Sequence, residues 1–109
     1  MDKREISKTI REVLAFRHPY VVRAEIFGSF ARGDNQTDSD VDLILTYDDT
    51  RPRGFRTFGL HRDLELSIGR KVDIVEEHLL HDFVREHIRD DRDIIYVRQE
   101  LRQSHDDPL

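Results

Sequence analysis

Apolar and polar positions change rhythm several times along the chain, and each rhythm predicts an element. Ile6, Ile10, Val13 and Leu14 recur at helical spacing and predict an amphipathic helix from about residue 3 to 16, stopped by Pro19. VVRAEIF at 21–27 switches to the strand period, with Val22, Ala24 and Ile26 on one face and Arg23, Glu25 and Phe27 on the other. Gly28-Ser29 breaks that strand, FAR has room for one helical turn, and GDNQTDS at 33–39 is a loop by composition. VDLILT at 41–46 predicts a second strand, in which Val41, Leu43 and Leu45 alternate against Asp42 and Ile44. A polar stretch, YDDTRPRGFR at 47–56, reads as a mobile loop. Leu60, Leu64 and Ile68 predict a helix over about 57–69 with Gly69 as its stop, and KVDIV at 71–75 is a short third strand. Leu79, Leu80, Phe83, Val84, His87 and Ile88 mark another amphipathic helix lying beside the core, while IIYV at 94–97 fits no single period.

The resulting order is helix, strand, strand, helix, strand, helix. A parallel strand pair needs a crossover of a dozen or more residues, and the link from about 28 to 40 is marginal for one. The expected class is therefore α+β, a small mixed sheet of three or four strands flanked by helices. A chain of 109 residues makes one small domain. It is expected over residues 1–100, with 101–109 as a flexible C-terminal tail.

Composition narrows the function. Charged residues reach 38% and the net charge is −5, which disfavours a nucleic-acid-binding module driven by bulk positive charge. A nucleotide remains possible, because a metal ion can bridge carboxylates and phosphates. There are no cysteines, so disulfides and cysteine-zinc sites are excluded. Met1 is followed by Asp2-Lys3-Arg4-Glu5 rather than an apolar signal region, and no apolar run approaches the ~20 residues of a membrane span. A soluble cytoplasmic protein is the expectation.

Two features carry chemistry. Asp40 and Asp42 share one side of a strand opening, ~6–7 Å apart along the backbone at ~3.3 Å per residue. Like charges so close repel unless protonated, bonded or metallated, and a hard cation such as Mg²⁺ suits an all-oxygen site. The bland alternative is a turn cap at Asp40 and a solvated strand residue at Asp42. Upstream, Gly28 lets a backbone approach a phosphate, and Ser29 adds a hydroxyl donor at a turn with free N–H groups. Most Gly-Ser pairs are ordinary turns; the combination of a phosphate-type turn with a carboxylate pair is the stronger signal. Elsewhere, Glu77, His78 and His81 lack the His-Glu-x-x-His spacing of a zinc site. Arg56 and His61 match the Arg-x(4)-His spacing of HEPN ribonucleases, which are all-helical, unlike a chain with clear strands.

GSFARGDNQTDSDVDL resembles the nucleotidyltransferase signature G-S-x-A-R-G-x(n)-S-D-x-D-L in the form found in minimal nucleotidyltransferases, which are similar in fold to DNA polymerase β. The match is dense over 28–43, and the element order extends it over about 5–90. The resemblance implies a third carboxylate on a later strand, which KVDIV supplies as Asp73. It further implies that Asp40, Asp42 and Asp73 are catalytic and bind two Mg²⁺ ions, with ATP as substrate held at Gly28 and Ser29. Arg32 either touches phosphate or braces the loop. Ser39 either joins the nucleotide site or caps the turn. Arg51, Arg53 and Arg56 could steer a triphosphate or sit on a solvated loop.

Roughly 35 residues follow Asp73, too few for an acceptor domain, so a second chain is expected to complete the acceptor site. Minimal nucleotidyltransferases of this type are commonly antitoxins of HEPN ribonuclease toxins. The resemblance implies transfer of AMP from ATP to a tyrosine of such a toxin, in a hetero-oligomer, with neither nucleic acid nor membrane as partner. An antitoxin acting by binding alone, or transfer to a small molecule such as an aminoglycoside, are the alternatives.

Overall fold

Asp2 starts the first helix. Its carboxylate accepts the Glu5 N–H at 2.9 Å, and the Glu5 side chain accepts the Asp2 N–H at 2.9 Å, a reciprocal cap that satisfies two otherwise orphaned donors. The protein is described here by a computed structural model covering residues 1–48 and 55–99, with side chains throughout except at 55–58. The capped helix is α1, Lys3–Arg17. Ile6, Ile10 and Leu14 form its fully buried stripe, and the His18 N–H closes it on the Leu14 carbonyl at 3.1 Å.

The chain continues as β1 (Val21–Phe27), a four-residue α2 (Ser29–Arg32), β2 (Val41–Tyr47), α3 (Phe55–Ile68) and β3 (Val72–Glu76). A 3₁₀ turn (Glu77–Leu79), α4 (Asp82–Ile88), a second 3₁₀ turn (Arg89–Asp91) and β4 (Arg92–Val97) follow. The four strands form one mixed sheet in the order β3-β2-β1-β4. β1 is antiparallel to both β2 and β4, and β2 is parallel to β3. The short link from β1 to β2 thus closes an antiparallel pair, as its length dictates, and α3 supplies the long crossover that the parallel pair requires. This is the expected α+β class.

One face of the sheet is covered by α1 and α3. Ala24, Ile26, Leu43, Leu45 and Val72 meet Ile6, Ile10, Leu14, Leu60, Leu64 and Ile68 in a single core. Buried His18 ties the two helices together: Nε2 donates to Asp63 at 2.8 Å, and in the neutral ring Nδ1 accepts the Tyr20 hydroxyl at 3.2 Å. Helix side chains also occupy backbone groups on the outer strands. Arg11 donates to the Ile95 carbonyl at 3.3 Å on β4. On β3, His61 Nε2 donates to the Val72 carbonyl at 2.6 Å, and Glu65 accepts the Val72 N–H at 2.9 Å.

The opposite face collects charge. Pairing sets Asp73 beside Asp42, Asp42 beside Phe27 and Phe27 beside Arg92, one row across all four strands. Glu25, which the strand period sets with Arg23 and Phe27 on the face away from Ala24 and Ile26, is only 3% exposed. Arg92 explains this: its Nε and Nη2 grip the two Glu25 oxygens at 2.7 and 2.8 Å. Arg92 also reaches Glu77, which Arg85 holds from the other side. Hydrogen bonding to Glu25 holds the Arg92 guanidinium above its ordinary range. Burial pushes Glu77 up, but hydrogen bonds from Arg92 and Arg85 outweigh it and bring the carboxyl below its usual range.

One expectation needs correction, and one open segment is resolved. The segment from Leu79 to Ile88 is a 3₁₀ turn plus a seven-residue helix, and it does not bury its apolar stripe: Leu79 is 61% and Phe83 71% exposed. The ambiguous IIYV belongs to β4, an outer strand whose Ile94 and Val97 face out while Ile95 and Tyr96 pack on the core. The expected loop around Arg51 and Arg53, the Arg56 side chain and the tail 101–109 lie outside the described residues. Among the described residues, no helix is long and apolar enough to cross a membrane.

The Glu25–Arg92 pair gives a direct test. Arg92→Met leaves the buried Glu25 carboxylate with only the half-exposed Arg23 beside it and should cost about 2–4 kcal/mol in urea unfolding; adding Glu25→Leu should recover much of that loss.

Candidate active site

The residues singled out in the sequence converge at one end of the sheet face opposite α1 and α3. Gly28 lies between β1 and α2 with φ 74° and ψ −147°, a region essentially closed to other residues. A second constraint acts on it: a Cβ there would lie 2.4 Å from Asp42 Oδ2. The Asp42 carboxylate therefore sits directly over the Gly28 backbone, and the turn and the strand carboxylate are parts of one site. Ser29 opens α2, its carbonyl accepting the Gly33 N–H at 2.9 Å and the Asp34 N–H at 3.1 Å, which closes the turn.

Asp42 is the second residue of β2, and Asp73 is its register partner on β3. Asp40 stands just ahead of β2. Asp40 and Asp42 are half-buried, and Asp73 is exposed. Burial raises the Asp42 carboxyl above its ordinary range, and the nearby charges of Asp73 and Asp40 and a hydrogen bond with Asp73 push it the same way; Arg32 opposes them weakly. The structure thus brings Gly28, Asp42 and Asp73 together, with Asp40 close enough to be felt.

Arg32 braces the loop. Its Nε donates to Asp34 at 3.1 Å, a bond that, with the Asp34 charge, holds the guanidinium above its ordinary range, and Nη1 lies 3.8 Å from Asp91. The Ser39 hydroxyl accepts the Gln36 N–H at 2.6 Å and so caps the turn before Asp40. Its carbonyl accepts Arg70 Nη1 at 2.9 Å. Neither Arg70 nor the grip of His61 and Glu65 on Val72, one residue before Asp73, was read from the sequence; the only hint is a basic pair, Arg70-Lys71, directly ahead of the third strand. Glu77, next to His78 and near His81, is engaged by Arg85 and Arg92. A cleft of about 390 Å³ reaches Asp73 from the β3 edge, lined also by Tyr47, His61, Val72, Ile74 and Glu76.

The donor chemistry suits a hard cation. Three carboxylates offer an all-oxygen set, and a cation would offset both the burial and the neighbouring charges that raise Asp42. Among the described residues, no three acidic or imidazole side chains are gathered around one point as a ready metal cluster. The donor set fits such an ion in kind, though not as a preformed cluster.

The family model for the nucleotidyltransferase domain matches residues 7–105. The chain belongs to this nucleotidyltransferase family. A relative from Methanocaldococcus jannaschii, provisionally named protein adenylyltransferase MJ1379, is 31% identical over 97 residues, spanning 86% of this chain and 93% of the relative. A solved structure described provisionally as a minimal nucleotidyltransferase is 31% identical, with a TM-score of 0.69 over 85% of this chain and 95% of its own. A chain from a complex of tri-AMPylated Shewanella oneidensis HEPN toxin with MNT antitoxin shares the fold, with a TM-score of 0.64 at 16% identity over 95% of this chain and 77% of its own. The enzyme class expected from residues 28–43 is therefore the right one.

The electrostatics of this nucleotidyltransferase predict a pH-dependent gain on removing one charge. Because the folded-state pKa of Asp42 is raised, its penalty is absent below the ordinary carboxylate range of ~3.9 and grows as pH rises through the folded value. In EDTA, Asp42→Asn should melt higher than wild type at pH 7, and the difference should vanish near pH 3. Calorimetric scans across that range check it.

Proposed function

We propose that the chain transfers AMP from ATP to a hydroxyl of a partner protein, a tyrosine on a HEPN-type toxin, and acts as its antitoxin. The observation that carries the reading is the seating of the Asp42 carboxylate over the Gly28 backbone, with Asp73 as its register partner. A phosphate-accommodating turn and an acidic pair then face the same small volume. The relatives' names as protein adenylyltransferase and the AMPylated HEPN complex support the acceptor.

In this reading Gly28 and Ser29 hold the terminal phosphates, and Asp40, Asp42 and Asp73 hold Mg²⁺. When bound, the ion offsets phosphate charge and favours departure of pyrophosphate. Asp73, exposed at the edge, serves the acceptor side and takes up the hydroxyl proton. The acceptor oxygen forms a bond to the α-phosphorus, the bond from that phosphorus to the bridging oxygen breaks, and pyrophosphate leaves with the electron pair. Arg32 adds positive charge near the phosphates while keeping its loop bond to Asp34, and Ser39 shapes the turn that presents Asp40. The exposed Leu79 and Phe83, in the 3₁₀ turn and α4 that follow β3, offer an apolar surface to the partner chain.

Two measurements test this. Ser29→Ala should weaken ATP binding by about 1–3 kcal/mol in calorimetry, the loss of one hydrogen bond to a charged group. Asp73→Asn should keep ATP binding and partner binding, lose nucleotidyl transfer and fail to protect cells. Intact-mass analysis of a co-expressed HEPN partner should show AMP additions with wild type and none with Asp73→Asn. An unmodified partner together with full protection by Asp73→Asn would show neutralisation by binding alone.

A further inference from the structure

Arg70 touches two segments that carry the proposed site and belongs to the one that leads into the third. It lies between the end of α3 and the start of β3, three residues before Asp73. Its Nη1 donates to the Ser39 carbonyl at 2.9 Å. Its guanidinium lies over the Phe30 ring, 5.2 Å from the centroid, and Phe30 is the fully buried neighbour of Ser29 in α2. The next residue continues the same contact: the Lys71 carbonyl accepts the Val41 N–H at 2.9 Å. Residues 39 and 41, on either side of Asp40, are therefore both anchored by the consecutive residues Arg70 and Lys71.

We propose that Arg70 is a positioning residue that fixes the backbone bearing Asp40 against the Gly28–Ser29 turn. The inference rests on the reading above, in which Asp40 and that turn serve one nucleotide–metal site. Its physical content is specific. The link from α2 to β2 is polar and mostly exposed at 32–38, so it has little packing of its own to fix where Asp40 stands. A planar guanidinium can stack on an aromatic ring and donate in its plane at the same time, which an ammonium cannot do. Arg70 thus couples the loop before Asp40 to a buried ring beside Ser29, and neither contact requires it to meet the nucleotide.

The test compares wild type, Arg70→Met and Arg70→Lys in the full-length chain. Mn²⁺ binding is titrated by electron paramagnetic resonance with the ATP analogue AMP-PNP present, and thermal melting is recorded beside it. Arg70→Met should raise the Mn²⁺ dissociation constant roughly tenfold, the scale of losing one charge-assisted hydrogen bond. Arg70→Lys should fall between, since it can still donate to the Ser39 carbonyl but has no plane to lay on Phe30. The Mg²⁺ midpoint for transfer should rise in the same order, with the rate recovering at high Mg²⁺. A residue that only supports the fold would lower the melting temperature and leave the Mn²⁺ midpoint unmoved below it. Equal Mn²⁺ affinity in wild type and the folded variants overturns the role of Arg70. No Mn²⁺–AMP-PNP binding by wild type overturns the site reading itself, and this inference with it. Should Arg70→Met fail to fold, Arg70→Lys alone decides.

Discussion

The juxtaposition of half-buried Asp42 with Asp73 is the constraint around which the charged face of the sheet is arranged. Parallel pairing of β2 and β3 makes the two carboxylates neighbours. Burial and the neighbouring charge of Asp73 both disfavour an ionised Asp42, while the exposure of Asp73 lets water screen part of that repulsion. Elsewhere on this face the chain compensates its buried acids closely. Glu25 has a two-pronged bond from Arg92, and Glu77 is held from both sides. Among the described residues of this face, negative charge without a close cation partner is thereby concentrated at the end of the sheet where Asp42 lies against the Gly28 turn. That arrangement lowers stability locally and favours binding of positive charge.

The sidedness of the sheet follows from the alternation along its strands. Ala24 and Ile26 on β1, and Leu43 and Leu45 on β2, put their apolar side under α1 and α3. Every side chain on the alternate positions is then committed to the other face, and Asp42, Phe27 and Glu25 follow from that without further cause. The sequence made β1, β2, α1 and α3 legible for this reason: a half-buried element writes its period into the chain. Gly28, Ser29, Asp40 and Asp42 were legible because they are close together in a recognisable run. Asp73 was not, on its own; an acidic residue in KVDIV is distinguished only by the fold, which makes it the partner of Asp42.

What escaped the sequence escaped for physical reasons. Glu25 looks like a solvated strand position because its partner Arg92 is 67 residues away. The 79–88 stripe has helical spacing, but spacing does not say whether another element stands opposite, and Phe83 has mostly water on it and the His87 ring beside it. IIYV has no alternation to read because β4 buries Ile95 and Tyr96 in succession across an irregularity in its pairing with β1. The Asp2–Glu5 cap, by contrast, was plain in the spacing D-K-R-E and only needed to be looked for.

The helix side chains that reach the outer strands have a consequence for how other proteins can approach. An outer strand with open backbone groups is a template on which a second chain can lay a strand. Here Arg11 occupies the Ile95 carbonyl at one margin of the sheet, and His61 and Glu65 occupy both polar groups of Val72 at the other. A protein that extended this sheet would first have to displace an arginine at one margin or an imidazole and a carboxylate at the other. Recognition is thereby steered away from main-chain pairing, which reads little sequence, and toward side-chain surfaces, where a correct partner can be told from a merely extended one.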